Sequence, residues 1–155
     1  HYPLRRQRQM CIRDSAPLEP ISDNIDRDWL LQHLVTHANR TQDFTIPITL
    51  WVGGGLISGM LVSGSKFFDA YTEEIVKGVK EEGKDATRKF FREMGGSYYE
   101  PSDSPAHNTA FIHLLDAKFW SPSGQIPSSK HNGPAWRGRI SQITGYSLGQ
   151  LMTRE

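Results

Sequence analysis

Three groups of residues have types and spacings that could do chemistry. Trp136-Arg137-Gly138-Arg139 sets two guanidinium groups two residues apart. In an alternating strand that spacing puts Arg137 and Arg139 on one face and Trp136 and Gly138 on the other. Such a pair offers planar forks of donors to an acidic partner or to phosphates. The same pattern also describes a tryptophan in the core with two solvated arginines opposite. His33 and His37 stand four apart on a predicted helix, close enough to meet on one side of it. The intervening Leu34-Val35-Thr36 supplies no glutamate in the zincin position, and His107, His113 and His131 form no ligand spacing with the pair. Gly59 and Gly64 have the spacing of a phosphate loop, but Lys66 comes one residue late, and Met60, Leu61 and Val62 read as a strand. No serine sits in a Gly-x-Ser-x-Gly elbow, and Asp69, Asp103 and Asp116 are scattered over different elements. The expectation is a protein with no catalytic residues, no metal and no cofactor.

The chain has 155 residues and a formal net charge of +1. Residues 5–15 back-translate in frame to a transposase sequencing adapter, and residues 1–4 fit its upstream end followed by an index-like insert. Residues 1–15 are therefore expected to be adapter-derived, disordered and no part of the fold. They carry four arginines, one aspartate and the single cysteine, Cys11. Without them the net charge becomes −2, which does not favour nucleic acid as a general partner, and disulfides and thiol catalysis drop out. The longest apolar run, 48–62, is broken by Gly53-Gly54-Gly55, Ser58 and Gly59, and is shorter than the roughly 20 residues of a membrane helix. A soluble, cytoplasmic protein with no membrane partner is expected.

The elements that must position these residues follow from periodicity. Residues 16–25 read as a loop. Trp29, Leu30, Leu34, Val35 and Ala38 recur at helical spacing over 26–39. Residues 45–52 and 56–63 are β-branched and aromatic, which predicts an antiparallel pair with the three glycines supplying positive φ in a tight connection. Pro47 belongs at the edge or start of its strand, and Gly59 marks a bend or bulge. Mixed charge over 67–94 predicts a solvated helical insert divided at Gly78 and Gly83 and closed by Gly95-Gly96, with a polar loop over 97–107. Strands are predicted over 109–115, extended by 117–120, and over 135–143 and 146–150. Residues 121–134 read as a long loop and Thr144-Gly145 as a turn.

Three segments together resemble a known family. They are Ile48-Thr49-Leu50-Trp51-Val52-Gly53-Gly54-Gly55-Leu56-Ile57-Ser58-Gly59-Met60-Leu61-Val62-Ser63-Gly64, then Phe111-Ile112-His113-Leu114-Leu115-Asp116-Ala117-Lys118-Phe119, then Trp136-Arg137-Gly138-Arg139-Ile140-Ser141-Gln142-Ile143-Thr144-Gly145-Tyr146-Ser147-Leu148-Gly149. In order and spacing they resemble the GvpU family of gas vesicle accessory proteins. The resemblance implies a non-enzymatic, vesicle-associated role in assembly, modulation or clustering, with gas vesicle proteins as partners. The strand pattern also resembles an Sm-like barrel, which implies edge strands and a homo-oligomer. An Sm-like RNA-binding module is the alternative function, although Asp69 lacks the asparagine that such a site wants after its second strand. The expected fold is α+β and mostly β: a small, strongly bent five-stranded Sm-like barrel with an N-terminal helix. It is expected to form one domain over 26–150, with the charged insert at about 67–107 and a tail at 151–155. The candidate contact surface is the 121–134 loop with Trp120, Trp136, Arg137 and Arg139.

Overall fold

The computed structural model describes residues 26–99 and 109–153. Helix α1 (Trp29–Arg40) begins where the Asp28 carboxylate accepts the Leu31 amide at 2.8 Å, which satisfies one of the helix's orphan donors. The same oxygen accepts from the Tyr146 hydroxyl at 3.2 Å, so the cap also ties the helix to the last strand. Asp28→Ala is expected to lower stability by about 1 kcal/mol, the usual worth of an N-cap, read as a lower urea midpoint at unchanged slope. Leu31, Val35 and Ala38 are fully buried and press onto one face of a sheet.

Strands β1 (Ile46–Val52) and β2 (Gly55–Val62) form the expected hairpin, with Pro47 near the start of β1. Val52 pairs with Gly55, and the two linking residues, Gly53 at φ 57° and Gly54 at φ 79°, take the left-handed conformation that a two-residue turn between twisted strands requires. Helix α2 (Gly64–Lys77) then runs to its cap at Gly78, a short turn follows at Glu81–Gly83, and α3 (Lys84–Tyr99) returns. The insert is thus divided where the two glycines predict. Arg88 and Arg92 reach Glu73 across the hairpin at 3.1 and 3.3 Å. These half-exposed pairs contribute tenths of a kcal/mol each.

Gly95-Gly96 does not close α3, which continues to Tyr99. The reason is packing: a Cβ on Gly95 would stand 2.7 Å from the Phe68 Cβ, so the glycine lets the two helices approach. Residues 100–107 of the expected polar loop lie outside the described residues, as do 1–25, 108 and 154–155.

The remaining strands are β3 (Phe111–Ser121), β4 (Gly124–Ile126), β5 (Trp136–Arg139) and β6 (Ile143–Leu148). The sheet runs β4-β3-β2-β1-β6, all antiparallel, with β5 pairing to β3. There are six strands rather than five among the described residues, because Gly124 at φ 124° lets Ser121 pair with Gly124 and fold β4 back inside the expected loop. The fold is α+β but not mostly β, since helices of 12, 14 and 16 residues stand against strands of 7, 8, 11, 3, 4 and 6.

Among the described residues the sheet is also not closed into a barrel. β5 and β6 lie at opposite edges and are joined by the chain turning at Ile140–Gln142. Ile140, 1% exposed, plugs the core at that turn and breaks the single strand expected over 135–143. Thr144 and Gly145 accordingly belong to β6 and form no turn.

One face of the sheet, with Ile48, Leu50, Ile57, Leu61, Ile112, Leu114 and Ala117, packs on α1. The other face is covered at one end by α2. The β2–β3 register slips between Ser58 and Met60, opposite Asp116 at φ 51°. Gly59 thus sits at a bulge, where a Cβ would meet the Leu115 carbonyl oxygen at 3.0 Å.

Candidate functional site

The arginine pair stands on β5, and its backbone pairing fixes which way each side chain faces. Ile112 opposes Gly138 and Leu114 opposes Trp136, so Trp136 points to the α1 side and packs against the core, its ring folded over Gly138. Phe111 opposes Arg139 and His113 opposes Arg137, so both arginines emerge on the other side, and both are exposed. Alternation read from sequence gave this division correctly.

Arg137 is held in place by three neighbours. Its guanidinium lies 3.6 Å from the Phe111 ring centroid, its Nε donates to His113 Nε2 at 3.2 Å, and one terminal nitrogen donates to the Tyr99 hydroxyl at 3.2 Å. These partners are uncharged, and neither Arg137 nor Arg139 forms an ion pair among the described residues. A fixed guanidinium whose described partners are all uncharged is an arrangement that favours an incoming anionic group.

His113 was missed as anything more than a strand residue, and it organises this end of the sheet. It is 0% exposed, wrapped by Phe67, Phe68 and Tyr99, with ring centroids 4.8, 6.4 and 4.9 Å away. Burial first, and the Arg137 charge second, push its imidazole from 6.5 down to about 3. Nε2 accepts from Arg137, so the proton of the neutral ring sits on Nδ1, which has no hydrogen-bond partner among the described residues.

Trp120 lies at the far end of β3. It opposes Leu56, which opposes Trp51, so the three form a row on the face away from α1; Trp51 is 43% exposed. Trp120 stands seven positions after His113 along β3, a span of about 23 Å at the usual strand rise. The structure therefore joins Arg137 with Arg139, sets Trp136 behind them, and places Trp120 in a separate aromatic row. Trp51 carried a signal in its sequence, because it alternates with the buried Leu50.

The 121–134 segment is anchored. Gly133 N donates to Asp116 Oδ1 at 2.6 Å, Ala117 N donates to Pro134 O at 3.0 Å, and Lys118 Nζ donates to the His131 carbonyl.

The other chemical suspects have structural duties. Ser63 caps α2 by accepting from Lys66 N, and Gly64 N donates to Asn39 Oδ1, so the amides that a phosphate cradle would use are taken. His33 Nδ1 sits 3.0 Å from Trp29 O, and His37 meets the Phe44 ring edge to face at 4.6 Å. Among the described residues no three His, Cys, Asp or Glu side chains gather as a metal site, and no helix is long and apolar enough to cross a membrane.

A family model described as gas vesicle protein GvpU-like matches residues 28–151. The match opens at the Asp28 cap and ends at Leu151, whose amide donates to Ser58 Oγ at 2.9 Å on the sheet. No curated protein and no solved structure matches the chain.

Proposed function

The chain belongs to the GvpU-like gas vesicle protein family, and from that membership we propose that it is a non-enzymatic accessory protein that acts by protein–protein contact and self-association in gas vesicle assembly or clustering. The family match carries the reading. Arg137 and Arg139, which form no ion pair among the described residues, support it as the place where an acidic segment of a vesicle protein docks in the cytoplasm, and the Trp51, Leu56 and Trp120 row adds an apolar contact at the other end of the sheet. The Sm-like RNA alternative finds no support: the sheet is open, and Asp69 lies within α2 rather than in a turn after the second strand.

Flotation tests the reading. Mixed with purified gas vesicles and centrifuged gently, the protein should rise with the buoyant layer, and it should stay below when the vesicles are collapsed beforehand. Failure to rise with intact vesicles would leave the family assignment standing and remove vesicle contact as the mode of action. Arg137→Ala with Arg139→Ala should reduce the floating fraction roughly tenfold, the effect of losing about 1.4 kcal/mol of binding. Because Arg137 also packs on His113, Arg139→Ala alone serves as the control that leaves that cluster untouched. A double variant that floats as wild type would clear the arginine face of any role.

A further inference from the structure

The two edges of the sheet are protected very differently. On one side β4 has three residues and is followed by Pro127, while β5 has four, follows Pro134 closely and carries Arg137 and Arg139. Short strands, prolines and charges are the usual guards against a second chain adding to an edge. On the other side β6, Ile143-Thr144-Gly145-Tyr146-Ser147-Leu148, has neither a charge nor a proline. Its inner edge pairs with β1, and among the described residues no strand pairs with its outer edge.

Gly149 N donates to Pro47 O at 2.8 Å, which makes Ile48 and Leu148 a non-hydrogen-bonded pair. By the alternation of an antiparallel ladder, Ser147 then bonds inward to Thr49, and Tyr146 and Leu148 turn their N–H and C=O outward. Tyr146 and Leu148 also share the α1 side of the sheet, opposite Leu50 and Ile48. Leu148 is 62% exposed there, and so is Trp29, at 68%, next to the Asp28 that holds the Tyr146 hydroxyl.

We infer that β6 is a self-pairing edge: it joins the β6 of a second copy of this chain, antiparallel, across a two-fold axis at Ser147. Opposed residues in such a pair share a face, so the axis must pass through a residue, and Ser147 is the choice that sets Tyr146 against the partner's Leu148 and covers the exposed leucine twice. Each Tyr146–Leu148 pair exchanges both of its outward N–H···O bonds. Charge points to the same partner, because the opposite edge turns the backbone of Arg137 and Arg139 outward and β6 offers those arginines no carboxylate. Strand pairing with only Trp29 added falls short of the about 1,200 Å² of a standard interface, so association is concentration-dependent. This deepens the self-association in the reading above and rests on it.

The test is a symmetry-specific crosslink in the full chain with Cys11→Ser. Ser147→Cys places two thiols opposite each other at the axis, whereas Gln125→Cys, on the β4 edge, does not. Under mild oxidation Ser147→Cys should form a covalent dimer at least roughly tenfold faster than Gln125→Cys. The uncrosslinked protein should move in sedimentation from 17.6 kDa toward twice that mass as concentration rises. Leu148→Pro removes an outward N–H together with the leucine that the pairing covers, leaves the β1–β6 bonds in place, and should abolish both effects. If it fails to fold, Ser147→Lys brings like charges together at the axis and should do the same. Equal crosslinking rates at the two positions, a constant monomer mass, or an open-ended ladder of masses would overturn the inference. Flotation separates it from the vesicle reading: a chain that floats without crosslinking loses only the β6 pairing, and one that crosslinks without floating keeps it.

Discussion

Gly133→Ala is expected to destabilise the protein by about 3 kcal/mol, the upper end of what overpacking usually costs. The added Cβ would overlap the Ala117 backbone, lying 2.6 Å from its carbonyl carbon and 2.8 Å from its nitrogen. β3 cannot yield, because its other edge is committed to β2 through the Ser58–Lys118 pair. The 121–134 segment must lift instead. It would give up the Gly133–Asp116 and Ala117–Pro134 hydrogen bonds and leave buried polar groups unmet. Gly55→Ala is the matched control, since its Cβ would make ordinary contact with Val52 O at 3.5 Å, and it should change stability by less than about 0.5 kcal/mol. Urea midpoints of the two variants measure the difference, and equal midpoints would show that the segment is not anchored as described.

The second large effect is acid sensitivity centred on His113. Its folded-state value of about 3 lies below the 6.5 of the unfolded chain, so between those limits the unfolded state binds the extra proton. Stability from this residue is complete above pH 6.5 and is lost progressively as pH falls toward 3. The loss should be on the order of 2 kcal/mol by pH 5 and about 4 kcal/mol by pH 3, since each pH unit crossed in that window costs about 1.4 kcal/mol. Exposed carboxylates titrate in the same range, so the comparison is with His113→Phe, which suits the ring cluster and has no proton to gain. Wild type should lose stability relative to that variant between pH 7 and pH 5. Parallel profiles would mean that His113 is not buried as a neutral base.

Much of the fold was legible because it is local. The β1–β2 hairpin follows from alternation ending in glycines, α1 from the helical spacing of Trp29, Leu30, Leu34, Val35 and Ala38, and the division of the insert from Gly78 and Gly83; that Leu31 is buried while Trp29 and Leu30 are exposed depends on how α1 sits on the sheet. β4 was hidden because Pro122, Gly124 and Pro127 read as a loop, although Gly124 is the residue that allows the strand to form. Gly95 was misread as a helix end for a similar reason: a glycine that permits a neighbouring helix to approach looks in sequence like one that ends its own. In the site, the facing of Trp136 against Arg137 and Arg139 was readable from a two-residue period. The burial of His113 was not, because it depends on α2 folding back over a sheet face. Nor was the distance to Trp120, which is set by the length of β3.

The order in which strands find their partners has a consequence for synthesis. Thr49 meets Ser58 nine residues away and Gly149 a hundred residues away. As the chain leaves the ribosome, β1 and β2 can close at once, and α2 and α3 can pack on each other as they emerge. The outer side of β1 must wait for β6, about 90 residues later, an interval of roughly 5–20 s at ordinary elongation rates. For those seconds the growing chain carries an uncharged strand with one edge unpaired, so the nascent protein is most prone to join its neighbours on a polysome before β6 is made.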